Sequence, residues 1–238
     1  MITILFLASN PTDTVRLQLD EESRQIDLAL REAAFRGQFT LEKHYAVRAT
    51  DLPPLLMRYQ PNIVHISGHG ADDGQILLVG EDGRIQPVPP DVLARLFALL
   101  RDKVRCVVLN ACFSEPQARA IAQSIECVIG LSDAVSDQAA LRFSIAFYQA
   151  LAYGRDLGTA FELACLQLEL VGTGEADVPR LITRDPASAR LVMADPERAG
   201  KTEWGQGSAT FSTAVLGGSV GQIVNVDHLE GGLTLNND

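Results

Sequence analysis

The chain has 238 residues, 47% of them hydrophobic and 21% charged, and carries a net charge of −10. That length suits one sizeable core, or one domain with an appendage. The acidic balance argues against nonspecific nucleic-acid binding, which needs a basic surface, and no apolar run is long enough to span a bilayer.

Ile2–Ala8 is a continuous apolar run with β-branched members and reads as a buried strand. The opening MITILFLASNP lacks the basic flank and small-residue cleavage site of a signal peptide. Residues 13–35 show helical spacing, with Leu19, Ile26, Leu30 and Ala33 on one stripe. Phe39, Leu41, Tyr45 and Val47 alternate as in a strand, and Thr50 caps a short helix running to Tyr59. Residues 63–67 form the next strand. Residues 75–79 and 84–88 flank GEDG and read as a hairpin. Pro90 opens a helix to about residue 100, residues 104–110 form a strand, and Pro116 suits the first turn of the following helix. A short strand covers residues 128–131. Ser136 caps a long helix that stops at Gly154, and a last helix covers residues 157–171.

Strands alternating with helices predict an α/β fold with a mainly parallel sheet and helices on both faces. Residues 1–172 make up this domain. Residues 173–210 lose clear periodicity and read as a linker or loosely packed arm. Residues 211–238 hold short Val/Ile/Leu pieces punctuated by glycine, the pattern of a small β-rich tail. A few short strands do not stand alone. Such a tail needs a surface, and strand addition to another copy or to a partner protein is its natural mode.

The four cysteines form no CxxC pair, which disfavours a zinc ribbon or a thioredoxin-like motif. Cys106, Cys127 and Cys165 lie in apolar segments and read as core thiols. A reducing cytoplasm is the expected compartment. No cofactor is expected. His65 and His69 share an HxxxH spacing, but on a glycine-bounded strand end rather than a helix, so no metal site is assigned.

Two stretches carry chemistry: IVHISGHG at residues 63–70 and RCVVLNACFS at residues 105–114. In a parallel sheet the loops after the strands gather at one edge. His69 and Cys112 each lie just past a predicted strand. An imidazole that takes a thiol proton creates a strong nucleophile near neutral pH. Gly68 and Gly70 expose backbone that can approach a substrate closely. A single His at a strand end is more often merely hydrogen-bonded, and a single Cys in an apolar run is more often core. The coincidence of both at two strand ends is what raises the pairing.

HISGHG, then VVLNACFS, then VIGLSDAVSDQAALRFSIAFYQALAYG, together with the opening LFLASNP…RLQLDEESRQI, resemble the CHAT-domain family of caspase-like cysteine proteases over residues 2–171. The resemblance implies a caspase-like three-layer sandwich and peptide-bond hydrolysis. It implies His69 as general base, Cys112 as nucleophile, and the backbone N–H groups of Gly70 and Cys112 as oxyanion donors. Ser132 departs from the aromatic residue many relatives carry in that loop. Relatives that cut after Arg or Lys hold the basic side chain with a carboxylate, and Asp133 and Asp137 are the candidates here. Asp137 equally suits the first turn of a helix, where it favours the dipole. With a basic preference, Arg180, Arg184, Arg190, Arg198 and Lys201 become candidate self-cleavage positions. The expected partners are a protein substrate and an activating sensor or sister subunit engaged through residues 211–238, as in a bacterial antiphage or programmed-death effector. A catalytically silent scaffold is the alternative. A TIR-like NAD hydrolase, relying on Glu21 or Glu22, is a weaker one.

Overall fold

The computed structural model describes residues 1–194. The expected β-rich tail, Arg198 and Lys201 lie outside the described residues. In chain order the first elements are β1 (Ile2–Ala8), α1 (Leu19–Glu32), β2 (Phe39–His44), α2 (Leu52–Tyr59) and β3 (Ile63–Ser67). Next come β4 (His69–Gly70), β5 (Ile76–Val79), β6 (Ile85–Val88), α3 (Pro90–Leu99) and β7 (Cys106–Asn110). The last are α4 (Glu115–Ile121), β8 (Cys127–Leu131), α5 (Asp137–Ala152), α6 (Leu157–Leu170) and β9 (Pro179–Thr183).

One sheet has the order β2-β1-β3-β7-β8-β9. The first five strands run parallel, and β9 closes the edge antiparallel to β8. Strands buried on both faces need apolar residues at successive positions, and β1 shows why. Ile4, Phe6 and Ala8 pack into one core with Ile26 of α1, Phe147 of α5 and Leu168 of α6. Leu5 and Leu7 pack into the other with Leu56 of α2, Phe97 of α3 and Ile121 of α4. Each such side chain contributes about 1.5–3 kcal/mol on burial. The result is the three-layer α/β sandwich expected from the sequence. A second, antiparallel sheet, β4-β5-β6, contains the expected hairpin and starts at His69.

Two local readings change. The helical spacing over residues 13–35 becomes helix only from Leu19. Side-chain bonds hold residues 10–18 as a loop instead. Asn10 exchanges two hydrogen bonds with the Leu17 backbone, and Thr12 and Asp13 bond to Gly83 and Ile85 at the hairpin. Local polar bonds of this kind compete directly with the helix. Within the stretch read as a loose arm, Pro179–Thr183 forms β9. Its signal was short and lacked alternation, and pairing with β8 decides it. Arg180 therefore sits inside a paired strand, a poor form for a self-cleavage site. No described helix is long and apolar enough to cross a membrane.

Thr50 does not cap α2, which starts at Leu52 after a tight turn over Ala49–Asp51 that leaves Asp51 at the N-cap position with no side-chain cap bond. The ends of α5 do follow the sequence. Ser136 caps α5 by accepting from Ala139 N–H, and Gly154 beyond it takes φ +80°, a left-handed stop. Asp156 caps α6, accepting from the Thr159 N–H and hydroxyl at 2.9 and 2.8 Å. Burial raises the Asp156 carboxyl, but the bonds from Thr159 and from the backbone N–H groups of Asp156 and Gly158 together outweigh it and hold the group below the usual carboxylate range. A depressed carboxyl stabilises the fold fully above its unfolded value of about 3.9 and loses that contribution as pH falls through the folded value. Asp156→Ala should therefore cost about 1 kcal/mol at pH 7. In urea unfolding, its deficit against wild type should shrink on acidification below about pH 4.

Candidate active site

Strands β3 and β7 are neighbours, with Ser67 opposite Asn110 at their last residues. The pairing runs on into the Gly68 N–H, which donates to the Asn110 carbonyl at 3.2 Å. Both chains thus leave the sheet at the same level. His69 starts β4, and Cys112 lies two residues beyond the end of β7, with Ala111 between. The two side chains line one cavity of about 360 Å³, together with Leu17, Gln138 and Leu141.

The His69 ring is oriented from the loop of residues 10–18. Its Nε2 lies 2.7 Å from the Val15 carbonyl oxygen. A carbonyl only accepts, so Nε2 carries the hydrogen, and in the neutral ring the lone pair is then on Nδ1. That is the tautomer a base needs. No sequence signal points to Val15, because its backbone does the work.

Cys112 sits against the loop of residues 132–136. The Val135 N–H donates to Sγ at 3.5 Å, and the thiol faces the Val135 carbonyl at 3.9 Å. Glu175 straps this loop by accepting from the Ser136 N–H and hydroxyl at 2.6 and 2.8 Å. Next to the nucleophile, Phe113 takes φ +55°, a left-handed conformation that costs a non-glycine residue about 1–2 kcal/mol. Its N–H donates to the Asp133 carbonyl at 3.3 Å. Gly70 is required for a different reason. A Cβ there would collide with the carbonyl oxygen of Cys112 and lie 3.2 Å from its nitrogen. The backbones of the two expected oxyanion donors are thus in contact.

The cavity separates the two acidic candidates. Asp137 lines it, whereas Asp133 does not and accepts from the N–H of Ala134 instead. It also separates the thiols. Burial pushes Cys106 well up, Cys127 to about 12 and Cys165 to about 11, leaving none of these three a nucleophile near neutral pH. His65 is fully buried, stacked on Phe6 at 4.9 Å and bonded through Nδ1 to the Tyr148 hydroxyl at 3.0 Å. Glu21 forms a surface pair with Arg24. Glu22 does not reach the surface: it lies at the cavity floor, 4% exposed. The sequence carried a signal for it, since Glu22 stands on the apolar stripe between Leu19 and Ile26.

A parallel core with one antiparallel edge, covered by helices on both faces, gives the chain a caspase-like fold. Its fold resembles that of caspase-1 from Spodoptera frugiperda, with a TM-score of 0.53 at 13% identity, covering 77% of this chain and 86% of that one. It also resembles a secreted C11 cysteine protease from Bacteroides thetaiotaomicron, solved with an irreversible peptide inhibitor, with a TM-score of 0.55 at 9% identity over 76% and 66% of the two chains. Residues 6–170 match the CHAT domain, and the chain belongs to the CHAT-domain family. A Roc-COR-CHAT protease from an unknown prokaryotic organism is 26% identical over 168 residues, 68% of this chain and 16% of the relative. A protein from Gillisia limnaea named "Probable protease" is 27% identical over 158 residues, 65% of this chain and 28% of the relative. The chain thus spans less than a third of either relative's length.

Gly70→Ala tests the close approach. It should cost about 1–3 kcal/mol from overpacking, because the atom met is backbone and cannot rotate away. Melting curves and alkylation of Cys112 by iodoacetamide should both report the loss.

Proposed function

We propose that this chain is a cysteine endopeptidase in which His69 activates Cys112. The observation that carries the reading is the β3–β7 register, which sends an imidazole and a thiol into one cavity from adjacent strand ends. His69 Nδ1 takes the thiol proton, and the thiolate attacks the scissile carbonyl. The N–H groups of Gly70 and Cys112 stabilise the oxyanion. The imidazolium then returns its proton to the leaving amine, and water hydrolyses the acyl-enzyme by the same route in reverse.

Asp137 is the carboxylate that would hold a basic P1 side chain, since it lines the cavity and Asp133 does not. In this structure the Cys112 sulfur is engaged by the Val135 N–H and carbonyl, contacts that compete with proton transfer to His69. That supports a latent enzyme switched on by a partner. An effector role in bacterial antiphage defence or programmed death, with residues 211–238 as the tether to a sensor or sister subunit, completes the proposal. The protease-named relatives carry the matched region within far longer chains, and this arrangement is consistent with such coupling.

Intact mass after incubation with an acyloxymethyl ketone carrying Arg at P1 tests the chemistry. An adduct should form on wild type at Cys112 and be lost in Cys112→Ala and His69→Ala. Asp137→Asn should slow labelling by the Arg probe more than tenfold while sparing an uncharged probe, as expected when a basic group loses its paired carboxylate. If Asp137→Asn slows both probes equally, the basic preference is wrong. Labelling of another cysteine would overturn the assignment of Cys112. Removing residues 211–238 should shift elution from a sizing column; identical elution and identical partner pull-down would remove the tether.

A further inference from the structure

We propose that Glu22 is a positioning residue for the His69–Cys112 pair, a single buried carboxylate that ties together the elements from which the site is built. This rests on the cysteine-peptidase reading above. Glu22 Oε2 accepts from the Ser67 hydroxyl at 2.5 Å. Its Oε1 accepts from Asn110 Nδ2 at 2.7 Å and from the Ser144 hydroxyl at 2.8 Å. His65 Nε2 lies 3.1 Å from Oε1 but is not aligned for a hydrogen bond.

The partners sit at the places that matter. Ser67 ends β3, two residues before His69. Asn110 ends β7, two residues before Cys112. Ser144 lies on α5, the helix that presents Asp137 and Gln138 to the cavity. Glu22 itself is in the first turn of α1, directly after the loop whose Val15 carbonyl orients His69. One side chain therefore connects the base, its orienting carbonyl, the nucleophile and the far wall.

The chemistry explains why the residue is an acid. Each bonded neighbour offers a donor, and a carboxylate is the side chain that only accepts. Burial alone pushes the Glu22 carboxyl up. The His65 ring beside it and the bonds from Ser67 and Ser144 outweigh that and hold it below the usual carboxylate range. A glutamine of the same shape can keep its oxygen toward Asn110 and Ser144 only by turning its N–H₂ on the Ser67 hydroxyl, which must then reverse, so charge-assisted ties to the strand ends become weaker neutral ones. Glu22 is not itself a proton carrier for the thiol, because its oxygens are already engaged by the fold.

The test is a double-mutant cycle on the full chain, read by the rate of iodoacetamide alkylation at Cys112. Wild type should react much faster than His69→Ala. Glu22→Gln should slow alkylation about tenfold, the scale of a displacement under 1 Å in a reacting pair. The double variant Glu22→Gln/His69→Ala should then react no more slowly than His69→Ala, because both changes remove the same activation. Tyr148→Phe removes a buried hydrogen bond on the far side of His65. It should lower the melting temperature without slowing alkylation. If Glu22→Gln does not fold, Ser67→Ala gives the same cycle with a smaller effect. A Glu22→Gln protein that melts earlier yet alkylates like wild type overturns the proposal, as do effects of Glu22→Gln and His69→Ala that simply multiply. Equal rates in wild type and His69→Ala would instead overturn the dyad, and the positioning role with it.

Discussion

Everything at the site depends on the parallel pairing of β3 with β7. The two strands are buried throughout, so both faces of each are committed to a core. A slip of one residue would exchange those faces and drive His65, Ser67 and Asn110 against the hydrophobic cluster under α2, α3 and α4. The hydrophobic pattern thereby locks a register that puts Ser67 beside Asn110. The loops beyond them begin level, and an imidazole and a thiol enter the same space without either loop being long.

The two layers of the sandwich differ in character. The layer under α2, α3 and α4 is built mainly from aliphatic side chains and Phe97, with the buried Gln117 and Ser114 bonded at α4. The layer under α1 and α5 carries a buried polar set in which Glu22, Ser67 and Asn110 line the cavity and Ser144 supports Glu22 from α5, with His65 and Tyr148 bonded to each other beside them. An unpartnered buried carboxylate costs several kcal/mol. Here the cost is offset because donors converge from two strands and a helix. A polar group so situated is satisfied only in one arrangement of those elements, so it specifies geometry where apolar packing would tolerate drift.

Backbone groups supply much of the remaining chemistry. The Val15 carbonyl sets the His69 tautomer, the Val135 N–H reaches the Cys112 sulfur, and Gly70 lets one turn touch another. The strained φ of Phe113 is held by its bond to Asp133 and by the β8–α5 loop that Glu175 straps. The same loop is tied at its start by two bonds from Ser132 to the Val178 carbonyl, so the contacts to the thiol come from a segment held at both ends.

The sequence by itself determined the order and type of nearly every described element, because runs such as Ile63–Ser67 and caps such as Ser136 act locally. It also singled out His69, Cys112 and Gly70, through residue types that carry reactivity or conformational freedom, and through the resemblance their motifs share. Tertiary structure alone decided the rest. The short β9 is a strand because β8 pairs with it. The span before Leu19 is a loop because Asn10, Thr12 and Asp13 bond it in place. Asp137, not Asp133, lines the cavity because α5 points its first turn there. Glu22, a charge on an apolar stripe, was visible as an oddity. Its meaning appeared only when strands and helices distant in sequence brought their donors to it, since hydrogen bonds between remote residues leave no periodicity to read.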